Sequence, residues 1–253
     1  MPSPSLLLII NADDFGLSDE TVAATVECFE AGALTSATIM PGMPATDAAI
    51  AFALDHPELG FGVHLTVTGE FGQRPLAGGK AFPAPREARL RALLGRLDEQ
   101  ALEREIEAQV LSVREAGVRV THVDSHRHLH KFAQFRSALS RALPRLGISR
   151  VRAVQDVYLQ PALLSPTYWL RNRWREQIRA SFETTDHFYM AGKDDPPWAE
   201  ELRRLLPGLG TGSLEVGVHP GRDEPWRARD RESVLAFAQG LDESVDLVGW
   251  DSP

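Results

Sequence analysis

The sequence has 253 residues, of which 43% are hydrophobic and 25% are charged, a composition typical of a globular protein with a substantial core. The formal net charge of -8 argues against nonspecific nucleic-acid binding, which requires a basic surface. The one cysteine, Cys28, excludes an intramolecular disulfide and a cysteine-rich metal site, and we expect it to face the core. The short apolar run near the N-terminus predicts neither a secretory signal nor a membrane span, and we expect a cytoplasmic location.

Short apolar or β-rich runs alternate along the chain with amphipathic segments, which predict strands and helices respectively. In chain order, strands are predicted at 6–11, 35–40, 60–67, 118–126, 149–154, 213–219 and 245–250. Helices are predicted at 19–30, 45–54, 86–116, 132–146 and 227–239, the first and third ending near a glycine.

This alternation is typical of parallel strands joined by crossover helices. About seven such units favour an irregular, single-domain (β/α) barrel over residues 1–253, rather than an open Rossmann sheet. No dinucleotide-binding or phosphate-binding glycine fingerprint follows the first predicted strand. Segments 69–85 and 189–197 are rich in Gly, Pro and polar residues and are interpreted as loops that would cover a site.

Polar side chains accumulate where the predicted strands end. Asp13 and Asp14, in NADDFG, follow the first strand, and His64, in FGVHLTV, lies late in the third. The segment THVDSHRHLH ends the fourth strand, and His219, in EVGVHPG, ends the sixth. Because the carboxyl ends of all strands open onto one face of a barrel, these distant segments are predicted to converge there.

The histidine-rich segment 122–130 admits two local structures. If it stays extended, its even-numbered residues, which include Asp124 and four histidines, point to one side. If it turns helical after Ser125, His126 and His130 become neighbours one helical turn apart. One isolated histidine would more often be an ordinary hydrogen-bonding residue, but this run together with His64 and the Asp pair predicts a metal site.

Two neutral imidazoles and one carboxylate are a common ligand set for a divalent cation that keeps open positions. The predicted ligands are Asp14, His64 and His126, with His128 as the reserve choice. Asp124 is expected to orient a ligand histidine, with a strand-end cap as an equal alternative. Because nitrogen and oxygen ligands admit both zinc and magnesium, the identity of the ion stays open.

Asp13 and His219 are the predicted catalytic residues. A bound cation lowers the pKa of water, and Asp13 is the nearest carboxylate that could accept the proton released. His219 is predicted to protonate a leaving group, since an imidazole has a pKa near neutrality.

At these residues the sequence resembles the YdjC family of carbohydrate deacetylases, which includes chitooligosaccharide deacetylases. The resemblance rests on NADDFG, GVHLT, THVDSHRHLH and VGVHPG, in this order over nearly the whole chain. It implies a (β/α)-barrel-like fold and metal-dependent removal of acetyl from N-acetylated sugars. Carried over by position, it places the family's metal ligands on Asp14, His64 and His126, its base on Asp13 and its leaving-group acid on His219.

The resemblance leaves the sugar open, because residues 155–200 contain no motif that aligns. Relatives linked to hopanoid lipid biosynthesis act on glucosamine-bearing lipids, so both an N-acetylglucosamine oligosaccharide and a glycolipid are admitted. Trp198 and Trp226 lie in loop-like contexts and are expected to contact the substrate, since indole faces suit the apolar side of a sugar ring. Arg222, which follows His219, is a further candidate substrate contact, with surface pairing as the alternative.

Two other functions are compatible with part of this pattern. A non-haem iron oxygenase would use a similar triad, but such sites usually lie in β jelly rolls rather than in chains that alternate strands with long helices. A metal-dependent carbohydrate-binding protein without turnover would not require the base and acid that Asp13 and His219 provide. We therefore predict a hydrolase acting on a small N-acetylated sugar, with no nucleic-acid partner and with self-association left open.

Overall fold

The computed structural model describes residues 5–159, 166–193 and 197–251. This part of the chain contains one parallel sheet of seven strands in the order β4-β3-β2-β1-β6-β5, with β7 pairing to the start of β1. The strands are β1 (Leu6–Phe15), β2 (Ser36–Ile39), β3 (Gly60–Leu65), β4 (Val120–Ser125), β5 (His187–Met190), β6 (Ser213–Val218) and β7 (Val245–Leu247). The helices are α1 (Asp19–Glu30), α2 (Thr46–Asp55), α3 (Pro85–Leu93), α4 (Glu99–Glu115), α5 (Ala133–Arg145), α6 (Pro166–Arg179), α7 (Ala199–Leu205) and α8 (Pro225–Gln239).

The predicted α/β class and the barrel-like parallel sheet are confirmed, and an extended segment, 149–157, joins the two end strands of that sheet. On one side, the Val123 amide of β4 donates to the Arg150 carbonyl over 3.0 Å, and the Arg152 amide donates to the Val123 carbonyl over 3.1 Å. On the other side, the Val157 amide donates to the Phe188 carbonyl of β5 over 3.2 Å. This bridging places the side chain of Arg152 inside the curled sheet.

Two predicted elements of this region were wrong. Segment 149–154 is not a regular strand, because its ladder is reduced to isolated bridges at Arg150 and Val151. The strand that the sequence did not predict is β5, which begins at His187 and overlaps the segment predicted as a loop at 189–197. Four residues are too few for an alternation of polar and apolar side chains to separate a strand from a loop.

The long helix predicted at 86–116 is two helices, α3 and α4. Gly95 lies between them with a left-handed φ of 68°, a conformation that glycine adopts without steric cost. Asp98 then begins α4, because its carboxylate accepts hydrogen bonds from the amides of Gln100 and Ala101, each over 3.0 Å. The helices predicted near α1, α2, α5 and α8 are confirmed.

The two faces of β1 have different surroundings, because successive side chains of a strand point in opposite directions. Leu8 and Ile10 are fully buried in the apolar core, and burial of such a side chain contributes about 1.5–3 kcal/mol. Asn11 and Asp13 alternate with them and face the polar interior of the sheet. Cys28 of α1 lies in the apolar core as expected, where burial raises the pKa of its thiol to about 12.

The substitution Gly62→Ala is expected to destabilise the fold. A Cβ at this position of β3 would lie 2.6 Å from the imidazole of His122, which itself stacks on the Trp250 indole at 4.4 Å between ring centroids. Overpacking of this kind costs about 1–3 kcal/mol of unfolding free energy, measurable by urea denaturation. The matched control is Gly208→Ala, where nothing lies within 4 Å, and equal losses in the two variants would contradict the close contact.

Candidate active site

The end of β1 carries the adjacent carboxylates, and an irregularity there brings both to one side. The register of β1 against β2 shifts between Ala12 and Phe15, and Asp14 has a left-handed φ of 58°, which aspartate tolerates better than most residues. In a regular strand, neighbouring side chains would face opposite ways. Here both carboxylates approach the His64 imidazole, Asp13 to 4.0 Å and Asp14 to 3.3 Å.

Asp14, His64 and His126 form a compact triangle at the carboxyl end of the sheet. Nε2 of His64 lies 3.3 Å, and Nδ1 of His126 3.2 Å, from the same oxygen, Oδ1 of Asp14. One ligand-type atom from each residue lies within 4.8 Å of the others. The structure thus brings together the three residues that the sequence analysis chose as metal ligands, although their role remains a prediction.

The histidine-rich segment follows neither proposed local structure throughout. It is extended through Ser125, after which His126–Lys131 forms a 3-10 turn interrupted by left-handed φ angles at Arg127 and His128. These angles place His128 beside Phe188, at 5.9 Å between ring centroids. His128 lines the same cavity, but it is not part of the Asp14–His64–His126 group. His130 lies 2.7 Å from the Ser125 hydroxyl rather than beside His126. The helical alternative, in which His126 and His130 would be neighbours one turn apart, is therefore wrong.

His64 is oriented by Asp124. Its Nδ1 lies 2.8 Å from Oδ1 of Asp124, whose other oxygen accepts from Thr38 over 3.2 Å and forms an ion pair with Nη1 of Arg152 at 2.5 Å. Burial alone would lower the pKa of His64, but Asp124 and the two neighbouring carboxylates raise it to about 10. A histidine whose second nitrogen is held by a carboxylate is the usual arrangement for a metal ligand.

A fully buried guanidinium, that of Arg152, connects the carboxylates inside the sheet. It donates to both oxygens of Asp13 over 2.6 and 2.7 Å and to Glu215 over 2.7 Å. Burial raises the pKa of Asp13, but the charges of Arg152 and His64 outweigh it and hold this pKa well below its usual range. For Glu215 burial dominates over Arg152, and its pKa is raised to about 7.

The sequence analysis missed Arg152 and Glu215, although a signal was present. Each is a charged residue inside an apolar run, in VRAV and in LEVGV, and both side chains are fully buried. Because a buried charge requires a partner, two such residues of opposite charge in separate strand-like segments indicate an internal ion pair.

His219 lies beyond β6 on the same end of the sheet, with Nε2 4.0 Å from Oδ2 of Asp13. Asp230 of α8 positions it by accepting from the His219 amide over 2.6 Å and lies 3.7 Å from Nδ1 of its imidazole. Asp230 is fixed in turn by the Trp198 indole, which donates over 2.7 Å. The two predicted catalytic side chains therefore face one another across a short gap.

A cavity of about 300 Å³ is lined by Asp13, Asp14, His64, His126 and His219. Its wall also includes Glu70, Phe71 and Trp226. The Trp226 indole lies 5.3 Å from the His219 ring and carries Lys193 over its face. Trp226 is therefore placed where the sequence analysis expected a substrate contact.

The structure does not place the other two expected substrate contacts, Trp198 and Arg222, in this cavity. Trp198 is only 2% exposed and packs between the rings of Tyr189 and Phe237, so it cannot present a face to a sugar. Arg222 is outside the cavity and donates to Glu27 of α1 over 2.8 Å. Their loop-like sequence contexts do not reveal burial or direction.

The donor set fits a divalent cation. With both imidazoles neutral, as metal ligands must be, and Glu215 ionised, the four buried carboxylates of Asp13, Asp14, Asp124 and Glu215 would outnumber the two buried guanidiniums of Arg152 and Arg227, a difference that a divalent cation would balance. Burial raises the pKa of Asp14, but the charges and hydrogen bonds of His126 and His64 hold it well below its usual range. Arg227, which the sequence analysis missed, donates to Oδ2 of Asp14 over 2.5 Å and leaves Oδ1 directed at the two histidines.

The fold and site together define a barrel-like α/β protein with a carboxylate and histidine centre at the carboxyl end of its sheet. The model of a family described as YdjC-like protein matches residues 7–245. The chain therefore belongs to the YdjC-like family, as the sequence analysis predicted. No helix in the described part of the chain is both long and apolar enough to cross a membrane.

Two curated relatives are named carbohydrate deacetylase. The protein from Thermoanaerobacter pseudethanolicus is 30% identical over 84% of this chain and 80% of its own length. The protein from Geobacillus stearothermophilus is 41% identical, but that match covers 49% of this chain and only 50% of the relative. Among solved structures, a candidate cellobiose-phosphate cleavage protein from Enterococcus faecalis V583 has a TM-score of 0.76 at 22% identity over 98% of both chains, which supports the fold.

Replacing Arg152 by glutamine is expected to destabilise the protein strongly, because it leaves Asp13, Asp124 and Glu215 buried without their shared cation. Breaking a buried ion pair from one side costs about 3–5 kcal/mol, measurable by urea denaturation. The control is Arg150→Gln, since Arg150 makes a partly exposed pair with Glu183 at 3.4 Å and should lose about 1 kcal/mol or less. Similar losses in both variants would show that the internal pairs do not hold the fold.

Proposed function

We propose that this protein is a metal-dependent carbohydrate N-deacetylase, which hydrolyses the acetamido group of an N-acetylated sugar to acetate and an amino sugar. The observation that carries the proposal is that Asp13 and His219 face one another at 4.0 Å beside the Asp14–His64–His126 triangle. The names of the curated relatives support the same reaction.

Asp14, His64 and His126 would hold the cation. A divalent ion bound by these residues would supply Lewis acidity, enough to polarise the acetyl carbonyl and to lower the pKa of water from about 15.7 toward about 7. Asp124 keeps Nδ1 of His64 occupied over 2.8 Å, which leaves Nε2 available for the site. The donor atoms admit zinc and magnesium alike.

Asp13 serves as the general base that takes a proton from the attacking water. Arg152 keeps its carboxylate ionised and fixes both oxygens, so the acceptor is present at any ordinary pH. A carboxylate stabilised in this way is a weak base, and it can deprotonate only a water that has been made more acidic. The weak base and the cation site are therefore mutually consistent.

His219 serves as the general acid. As the bond between the acetyl carbon and the sugar nitrogen breaks, Nε2 of His219 gives its proton to that nitrogen, which leaves as an amine. The water oxygen stays on the acetyl carbon and gives acetate. Asp230 holds the His219 backbone over 2.6 Å and so keeps the imidazole facing Asp13.

The substrate is an N-acetylated sugar, either an N-acetylglucosamine-containing oligosaccharide or a glycolipid. Trp226 lies at the cavity wall with its ring 5.3 Å from that of His219, and Lys193 and Arg227 lie over its indole. It is the expected substrate contact that the cavity includes. The parallel α/β sheet disfavours the oxygenase alternative. The single-domain organisation over residues 1–253, the cytoplasmic location and self-association remain predictions.

Acetate release from N-acetylglucosamine oligomers tests the reaction. Purified protein is expected to release acetate, to lose this activity with a chelator, and to regain it when Zn²⁺, Mg²⁺, Co²⁺ or Ni²⁺ is added back. Release that a chelator leaves intact would remove the metal-dependent mechanism. Tight binding of N-acetylated sugars with no release from any of them would favour the binding-protein alternative.

Two variants separate base catalysis from cation binding. Asp13→Asn is expected to lower kcat by about 10²–10⁴-fold and to keep most of the bound metal, whereas His64→Ala should lose both, as measured by acetate release and elemental analysis. His56→Ala is the matched control, because His56 pairs with Glu58 on an exposed surface. An active Asp13→Asn protein would contradict the role of Asp13.

A further inference from the structure

The imidazole of His126 is held between two carboxylates. Its Nδ1 lies 3.2 Å from Oδ1 of Asp14, and its Nε2 lies 2.9 Å from Oε2 of Glu70. Glu70 follows β3 in the loop that leads to α3, and it was no part of the sequence-based site. A carboxylate has no proton to donate when ionised, so each of these contacts affects where the imidazole carries its own hydrogen.

The imidazole of His64 is also held between two carboxylates, but its Nδ1 and Nε2 have the opposite roles to those of His126. Asp124 contacts Nδ1 of His64, and Nε2 faces Asp14. In His126, Glu70 contacts Nε2, and Nδ1 faces Asp14. With a cation in the triangle each imidazole would be neutral, and its one N–H would be donated to the carboxylate outside the triangle while the other nitrogen offered its lone pair inward.

Glu70 is itself fixed in place. Arg127 forms a two-point pair with it, through Nε over 2.9 Å and through Nη2, and such bidentate pairs define geometry as well as charge. The left-handed φ of 59° at Arg127 turns this residue sharply after His126. The neighbouring Phe71 places its ring 5.3 Å from the His126 imidazole.

The loop that carries Glu70 is anchored farther along by helix α4. The buried carboxylate of Glu105 accepts from the amides of Leu76 and Ala77 over 3.0 and 2.9 Å. Gln73 also accepts from the Phe71 amide over 3.0 Å. These contacts hold Glu70 over the cavity without any contribution from a substrate.

We propose that Glu70 is a positioning residue of the cation site. Together with Arg127 it holds His126 in the Nε2-protonated tautomer, so that His126 binds a divalent cation through Nδ1 while His64 binds it through Nε2. The proposal rests on the cation site of the proposed function and adds the group that prepares its third ligand. Loss of such a partner typically weakens metal binding by about 10–100-fold.

Zinc affinity of the purified protein, measured by competition with a chromophoric chelator, tests this role. Glu70→Ala is expected to weaken Zn²⁺ binding by about 10–100-fold. Glu70→Gln should fall between wild type and Glu70→Ala, because its amide oxygen still accepts from Nε2–H. The control is Glu58→Ala, which removes a glutamate 3.2 Å from Nδ1 of the exposed His56 and should leave Zn²⁺ affinity unchanged.

A second readout excludes a merely structural role. Thermal unfolding of the metal-free proteins should give similar Tm values for wild type and both Glu70 variants, since the effect is on the ligand and not on the fold. Nitrogen NMR of the zinc-loaded wild type should show the N–H of His126 on Nε2 and that of His64 on Nδ1. The same tautomer in both histidines would overturn the proposal.

The outcomes also separate this proposal from the proposed function. If wild type binds Zn²⁺ and Glu70→Ala binds it equally well, Glu70 has no positioning role, while the deacetylase proposal stands. If wild type binds no divalent cation at all, both fail. If the metal-free Tm of Glu70→Ala falls together with its affinity, and Glu70→Gln does not restore either, the residue supports the loop alone and the proposal is wrong.

Discussion

The charge of one buried side chain, Arg152, allows three carboxylates to lie inside the curled sheet. Its guanidinium contacts Asp13, Asp124 and Glu215 at 2.5–2.7 Å, with no exposed surface of its own. Unpaired carboxylates in such a dry interior would take up protons, because burial penalises the charged form. The ionised state of Asp13 therefore depends on the Arg152 guanidinium, and so does the orientation that Asp124 gives to His64.

The polar groups are divided between the middle of the sheet and its carboxyl end. Arg152 forms ion pairs with the three carboxylates deeper in the sheet. Asp14 lies at the wall of the cavity, where one of its oxygens accepts from Arg227 and the other faces the two imidazoles. The irregular end of β1 makes this division possible, since it turns adjacent aspartates to the same side. One carboxylate can then belong to the internal network while its neighbour belongs to the proposed cation site.

Strand-end reasoning from the sequence located five central residues, because parallel strands must end together. Asp13, Asp14, His64, His126 and His219 were all placed at predicted strand ends, and the structure brings them to one cavity. The α/β class followed from the alternation of elements. Both inferences rest on periodicity over long segments, which is the part of a sequence that local physics determines best.

The remaining features depend on tertiary contacts that a single sequence does not display. Strand β5 is four residues long, and the choice of His126 over His128 depends on two left-handed residues that are not glycine. Trp198 occurs in a loop-like stretch yet is buried against Phe237. Glu70 stands in an ordinary polar loop, and only its contacts with His126 and Arg127 distinguish it from the exposed acids.

Segment 149–157 gives the protein an unusual closure. The seam of the curled sheet lies between its two end strands, β4 and β5, and segment 149–157 bonds to both of them there. In this chain the seam contains Arg152. Separating segment 149–157 from β4 and β5 would pull the guanidinium away from Asp13 and Asp124. These two carboxylates would then face one another in a dry space, at a cost of several kcal/mol. The seam between the two end strands is thus held closed by the same ion pairs that surround the candidate active site.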